Sequence, residues 1–214
     1  MESEKGKASS LCLEGRGQAA DAEDKAAEKA FEDACIMRCL DGDREAFRPL
    51  VDRHGPALFA FTLRLVGNRD DAMELTQEVF ARAFRNLADF NTRYRFSTWI
   101  YAIALNLCRD HRRRQMKSPS ARRVDLDLSL VGCEDPVERT IDARRRLERL
   151  ARCLDRLPPT YREALVMKDV MGLAYRDMQK VTSIPVTLLK IRVVRARKKL
   201  VELVTAMETG GGEP

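Results

Sequence analysis

The sequence predicts an all-α protein built from two small helical domains joined by a flexible linker. Three observations carry this expectation. Apolar residues recur at three- and four-residue spacing through residues 34–114 and again through 141–200, which is the period of a helix. Between them, residues 116–138 hold Ser118-Pro119-Ser120, a reversal of charge and Pro136, with no sustained period. With 11 Gly, 8 Pro and only 6% aromatics in 214 residues, the chain is poor in what a turn-rich β-sandwich requires. An apolar fraction of 44% and a charged fraction of 34% fit a folded chain rather than a disordered one.

The elements follow in order. Residues 1–32 are expected to form a mobile acidic tail, 33–115 the first domain, 116–138 the linker, 139–205 the second domain and 206–214 a disordered tail. In the first domain Phe47, Leu50 and Val51 lead into Leu58, Phe61, Leu65 and Val66, and Gly67-Asn68 stops that helix. Asp70 or Asp71 then caps a helix with Ala72, Leu75, Val79, Ala83 and Leu87 on one face. Asp89 to Arg95 is a polar break, after which a helix starts near Ser97 or Thr98 and runs through Ile100, Ile103, Ala104 and Leu107. The second domain reads as a helix from Ile141 to Leu157, a Pro158-Pro159 break, and a helix from Thr160 to Val170 ended by Met171-Gly172. A short helix from Tyr175 to Thr182 and a turn at Thr182-Ser183 precede a last helix opened by Pro185, whose missing N–H needs no partner at a first helical position.

Several classes of function are excluded at this level. No apolar run approaches the roughly 18 residues a membrane helix requires, so membrane insertion is not expected. The first thirty residues mix Lys with Asp and Glu and lack an apolar core, so they do not read as a secretory signal, and a cytoplasmic protein is expected. The six cysteines, Cys12, Cys35, Cys39, Cys108, Cys133 and Cys153, include no C-x-x-C pair, and His54 and His111 are far from any cysteine pair. Reduced thiols packing as small hydrophobes are expected, with no metal and no cofactor.

Charge is more informative by position than in sum. The net charge is +6, yet residues 1–32 carry eight acids against five bases. Residues 109–123 carry seven Arg or Lys against Asp110 alone, 124–138 hold five acids and no base, and 185–199 hold six bases and no acid. Two basic clusters on separate helical segments point to a bipartite contact with a polyanion.

Two constellations give that contact a shape. Asp177 to Thr182, the turn Ser183-Ile184 and the helix from Pro185 have the spacing of a helix-turn-helix. At 100° per residue, Val186, Leu189, Val193, Ala196 and Leu200 fall on one core-facing arc, with Thr187, Ile191, Val194, Arg195 and Lys198 opposite. Such a face can enter a major groove, although an amphipathic helix with a basic solvent face has the same pattern. In the first domain, Arg93-Tyr94-Arg95-Phe96-Ser97-Thr98-Trp99-Ile100-Tyr101 interleaves cations with four of the chain's thirteen aromatics. Rings of this kind stack on unpaired bases while Arg holds the backbone, or else some of them pack a small core.

Three strings, Asp71-Ala-Met-Glu-Leu-Thr-Gln-Glu-Val-Phe80, Phe96-Ser-Thr-Trp-Ile-Tyr-Ala-Ile-Ala-Leu-Asn106 and Leu157-Pro-Pro-Thr-Tyr-Arg-Glu-Ala-Leu165, resemble bacterial RNA polymerase sigma factors of the extracytoplasmic-function (ECF) group. The resemblance covers about residues 35–115 and 140–205, with the strings in the family's order and spacing. It implies a non-enzymatic alternative sigma factor that binds core polymerase, recognises −10 and −35 promoter elements and promotes DNA melting. It implies core polymerase as partner through the β′ clamp helices and the β flap, with Asp71, Glu74, Gln77, Glu78 and Phe80 docking on the clamp helices. Arg93, Tyr94, Arg95, Phe96 and Trp99 would capture a flipped base of the −10 element, flanked by Asn106, Arg109 and Arg113. Thr187, Lys190, Ile191, Arg192, Val194, Arg195 and Lys198 would meet the −35 element, and an anti-sigma factor would be a further partner.

The last helix departs from the family's Gly-Thr-Val-Lys-Ser-Arg-Leu-His-Arg. It reads Thr187-Leu-Leu-Lys-Ile-Arg-Val-Val-Arg195, so the outward Ser and His have become Ile191 and Val194, and Gln179 stands where a small residue is usual. One alternative is a sigma-like interaction protein that binds polymerase or an anti-sigma factor without directing initiation, with Leu188, Ile191 and Val194 as its protein-binding stripe. A plain helix-turn-helix repressor is another, and explains only the last sixty residues.

Overall fold

The computed structural model describes residues 26–117, 149–150 and 152–209, all helical or in short connections. The expected mobile tail before residue 26, most of the linker, the start of the Ile141 helix and the last five residues lie outside that range. Helix α1 covers residues 26–40, α2 Arg48–Val66, α3 Arg69–Arg85 and α4 Phe96–Lys117. A helical stretch described at 149–150 and 152–156 (α5) precedes α6 (Pro159–Leu165), which continues as a π-helical turn over Val166–Val170. Helices α7 (Tyr175–Thr182) and α8 (Val186–Thr209) follow.

Helix α1 takes seven residues from the expected tail. Cys35 and Ile36 are buried and Cys39 half-buried, while Phe31 meets the Arg53 guanidinium at 5.9 Å and Glu28 pairs with Arg53 at 2.5 Å. The acids of this segment have partners on α2, which a reading by net charge cannot see. Gly42, at φ 102°, turns the chain after it. Helix α2 ends at Gly67, also left-handed at φ 79°, and its N–H donates to Leu63 O at 2.8 Å. The cap of α3 is Asn68 rather than Asp70 or Asp71. Its extended backbone lets Oδ1 accept from both of their amides, at 2.8 and 3.0 Å, and leaves the two acids in the first turn.

The faces read from the periodicity are the buried ones. Leu58, Phe61 and Leu65 of α2, Ala72, Val79 and Ala83 of α3, and Ile100, Ala104 and Leu107 of α4 form the first-domain core. Thr62 and Thr76 are buried at the α2–α3 contact, where one hydroxyl donates to the other at 2.9 Å and the accepting one donates to a helix carbonyl, so neither is left unsatisfied. In the second domain Leu189, Val193 and Ala196 of α8 face inward, as the 100° arc requires. Helix α8 continues through residues expected in the tail because nothing breaks it before Gly210, and Met207 still meets Cys153 across the domain.

Helix α7 packs on α4, and the buried cluster runs without interruption from Ile100 and Leu105 to Met178, Val181 and Leu189. Arg162, 4% exposed, reaches from α6 to the Leu65 carbonyl of α2 at 3.3 Å and to Asp155 at 2.9 Å. The two domains therefore share one closed seam.

Candidate nucleic-acid interface

The loop between α3 and α4 is held by its own short-range bonds. Asn91 Oδ1 accepts from the Arg93 amide at 2.9 Å, and Asn91 O accepts from the Tyr94 amide at 3.0 Å. This turn projects Arg93, Tyr94 and Arg95 outward; Tyr94 is 46% exposed, and neither arginine has an ion-pair partner among the described residues. Trp99, one turn into α4, is half-buried and leans on Phe90 at 5.1 Å and Phe96 at 5.9 Å. Together Phe90, Tyr94, Thr98, Trp99 and Ala102 line an apolar pocket of about 380 Å³. A planar ring entering it would meet aromatic walls with cations at the rim.

Two of the expected contact rings are not available. Phe96 is 1% exposed and stacks edge-on with Phe47 and Phe90, and Phe80 packs against Phe47 in the same core. Both are apolar positions on inward arcs of their helices, so neither can meet DNA or polymerase directly. Tyr101 is likewise inside, and burial pushes its phenol up to about 12.

The seam covers part of this surface. Arg109 donates Nε and Nη2 to the two carboxylate oxygens of Glu163, at 3.1 and 2.7 Å, and Glu163 is a buried residue of α6. That hydrogen bond, outweighing burial, raises the Arg109 guanidinium above its ordinary range. Lys180 of α7 lies 5.0 Å from the Tyr94 ring and also borders the pocket. Neither Glu163 nor Lys180 was found from sequence; each stands in a motif of its own domain, and nothing local shows what lies across the seam. Asn106 and Arg113 stay exposed, Arg113 near Asp110 at 3.4 Å.

On α3, Glu74 and Gln77 are exposed beside Met73, an outward apolar side chain that the acid pattern had concealed. Glu78 is held between Arg82 at 2.6 Å and Arg85 at 3.2 Å, and the Arg82 hydrogen bond lowers its carboxyl below the usual range. Asp71 turns instead toward α4, where His111 and Gln115 meet its Oδ2 at 3.2 and 3.1 Å.

In the second domain the turn between α7 and α8 is built by Ser183 in the left-handed region at φ 58°, with Thr182 Oγ1 accepting from the Ile184 amide at 3.2 Å. Helix α8 then presents Thr187, Leu188, Lys190, Ile191, Val194, Arg195 and Lys198 to solvent, with Arg192 half-buried. Arg197 is different: it is locked bidentately to Asp169. Among the described residues no group of three or more His, Cys, Asp or Glu is placed to hold a metal, and no helix is long and apolar enough to cross a membrane. Cys35, Cys39, Cys108 and Cys153 are free thiols; Cys12 and Cys133 lie outside the described residues.

A helical bundle with an aromatic loop, joined to a helix-turn-helix with a basic outer face, defines the two DNA-contacting regions of a sigma-70-type protein. Family models match accordingly: Sigma-70 region 2 over residues 50–118 and Sigma-70, region 4 over residues 147–200. The ECF RNA polymerase sigma factor SigW of Bacillus subtilis is 30% identical over 177 residues, covering 77% of this chain and 92% of its own. The RNA polymerase sigma factor CnrH of Cupriavidus metallidurans is 31% identical over 175 residues, 79% of this chain and 92% of CnrH. The solved structure of CnrH in complex with the cytosolic domain of CnrY superposes with a TM-score of 0.62 at 27% identity, covering 81% of this chain and 96% of that one. The chain belongs to the ECF RNA polymerase sigma factors. As such it is an alternative sigma factor, a DNA-binding regulator that acts with RNA polymerase on promoter DNA in transcription initiation.

Proposed function

We propose that the first domain opens the −10 element by capturing one extruded base of the non-template strand in the Tyr94–Trp99 pocket. The observation that supports this most is the pocket itself, an apolar cavity of about 380 Å³ between an exposed and a half-buried ring. Extruding a base costs a few kcal/mol, and aromatic stacking returns about 1–3 kcal/mol per base. Arg93, Arg95, Asn106 and Arg113 hold the backbone around it, and Arg109 joins them once Glu163 releases it. The α8 face of Thr187, Lys190, Ile191, Arg192, Val194, Arg195 and Lys198 meets the −35 element, while Glu74, Gln77 and Glu78 dock on the polymerase clamp. The protein does this in the cytoplasm and without enzymatic chemistry of its own.

Because the seam occupies Arg109 and borders the base pocket, promoter opening requires α7 to leave α4. An anti-sigma factor that holds the seam shut is the partner this arrangement suits, in keeping with the likeness to CnrH bound by CnrY. The test is permanganate reactivity of −10 thymines with Tyr94→Ala and Trp99→Ala. Both variants are expected to lose open complex while core affinity stays within a few-fold. Unchanged reactivity in both would leave the rings as packing alone.

A further inference from the structure

We infer that helix α1 is a brace for the base-capturing loop, with Lys29 as a positioning residue and the Glu32–His54 pair as its second anchor. The inference rests on the reading of Tyr94 and Trp99 as the base pocket. The matched family region begins at residue 50, so α1 lies outside it.

Residues 91–95 are exposed throughout, between the buried Phe90 and Phe96, and their short-range bonds fix the turn itself. The Lys29 amine ties the middle of this exposed span to α1. Nζ donates to the Thr92 carbonyl, 63 residues away, at 2.5 Å, and Asp33, one turn on, holds the same amine at 2.6 Å. The Asp33 carboxylate aims the amine, and both of its bonds are of the charge-assisted kind. Thr92 stands two residues before Tyr94, inside the turn that the Asn91 carbonyl closes on the Tyr94 amide, so a tether on its carbonyl bears on the ring's position without touching the ring.

The second anchor lies at the other end of the loop. Glu32 is buried and meets His54 Nε2 of α2 at 3.0 Å, and the His54 ring packs on Phe96 at 5.4 Å. Phe96 in turn supports Trp99. Helix α1 therefore grips both walls of the pocket, Tyr94 through Thr92 and Trp99 through Phe96. Arg53 keeps α1 in place between them through Glu28 and Phe31. A buried carboxylate is costly without its partner, so α1 cannot slide along α2 and keep Glu32 where it is. Stacking and extrusion reward a preformed pocket, because ordering the loop at the moment of capture would subtract from the base's binding.

The test uses the full chain assembled with core polymerase on a promoter mapped from 5′ ends gained on overexpression, with 2-aminopurine in the −10 element. Lys29→Met is expected to reduce base extrusion about three- to tenfold, the reach of one modest hydrogen bond. Core affinity and thermal midpoint should stay at wild-type values, and Lys29→Arg should restore extrusion. Amide exchange over residues 91–95 should quicken in Lys29→Met and return in Lys29→Arg. If Lys29→Met extrudes the base normally while Tyr94→Ala and Trp99→Ala do not, the brace is wrong and the pocket stands. If core affinity falls in step with extrusion, Lys29 merely supports the domain and the brace is equally wrong. If Tyr94→Ala and Trp99→Ala extrude the base normally, the pocket reading fails and the brace falls with it.

Discussion

Replacing Glu163 by glutamine is expected to loosen the seam between the two domains, and the structure sets the size of the effect. The carboxylate is 8% exposed and accepts both Arg109 bonds, while the Arg109 side chain is 30% exposed. Removing one partner of a fully buried pair costs about 3–5 kcal/mol. Water recovers part of the guanidinium's solvation here, and the amide oxygen keeps one of the two bonds, so about 1–2 kcal/mol is expected. That corresponds to an increase of about five- to thirtyfold in the separated form. Trp99 is the only tryptophan of the chain and lines the pocket that Lys180 of α7 borders. Its fluorescence therefore reports separation directly. Acrylamide should quench it more strongly and its emission should move to the red in Glu163→Gln. Promoter affinity gives an opposed pair of signs: Glu163→Gln frees Arg109 for DNA and should tighten binding, whereas Arg109→Gln should weaken it. Unchanged quenching together with additive effects in the double variant would refute the latch, since residues acting through one bond cannot be additive.

Three further outcomes are expected. Glu74→Lys combined with Glu78→Lys should weaken core polymerase binding, and an unchanged dissociation constant at low salt, where surface charge acts most strongly, would reject the docking face. On α8, Ile191 and Val194 can pack on a thymine methyl but cannot read a guanine edge. Exchanging that thymine for cytosine in the −35 element should cost about 1–3 kcal/mol in the wild type and nothing in Ile191→Ser; Arg195→Ala should flatten the salt slope by about one unit on any sequence, and a preference that survives Ile191→Ser would make the apolar stripe a protein contact. Burial pushes Cys108 from 9.0 and Tyr101 from 10.0 up to about 12. The unfolded chain therefore loses both protons first, so stability is complete below pH 9 and declines from about pH 9 to 12. Denaturant midpoints across that interval should fall, less steeply in Tyr101→Phe, and a flat profile would contradict the burial.

The sequence by itself determined most of the helix order from α2 to α8 and the inward arcs of the helices it named, though not helix α1 or the end of α8. Periodicity, Gly67, the Pro158-Pro159 break and the turn at Ser183 are local signals, and the arc of Leu189, Val193 and Ala196 follows from 100° per residue alone. The same arithmetic contained the burial of Phe80 and Phe96, but motif resemblance drew them into the contact list because it transfers a string without its orientation. What only the tertiary structure decided are the pairings across distance. Asp71 and Glu74 stand on one helix with the same charge, yet one is engaged by His111 and the other faces solvent. Arg109 belongs to a basic cluster suited to DNA, and its partner is a carboxylate 54 residues away in the other domain. The acids of α1 read as a solvated tail until Arg53 and His54 are found beneath them. A hydrophobic period specifies that a face is buried, whereas an ion pair depends on which helix lies opposite and at what register, and that is settled only when the helices pack.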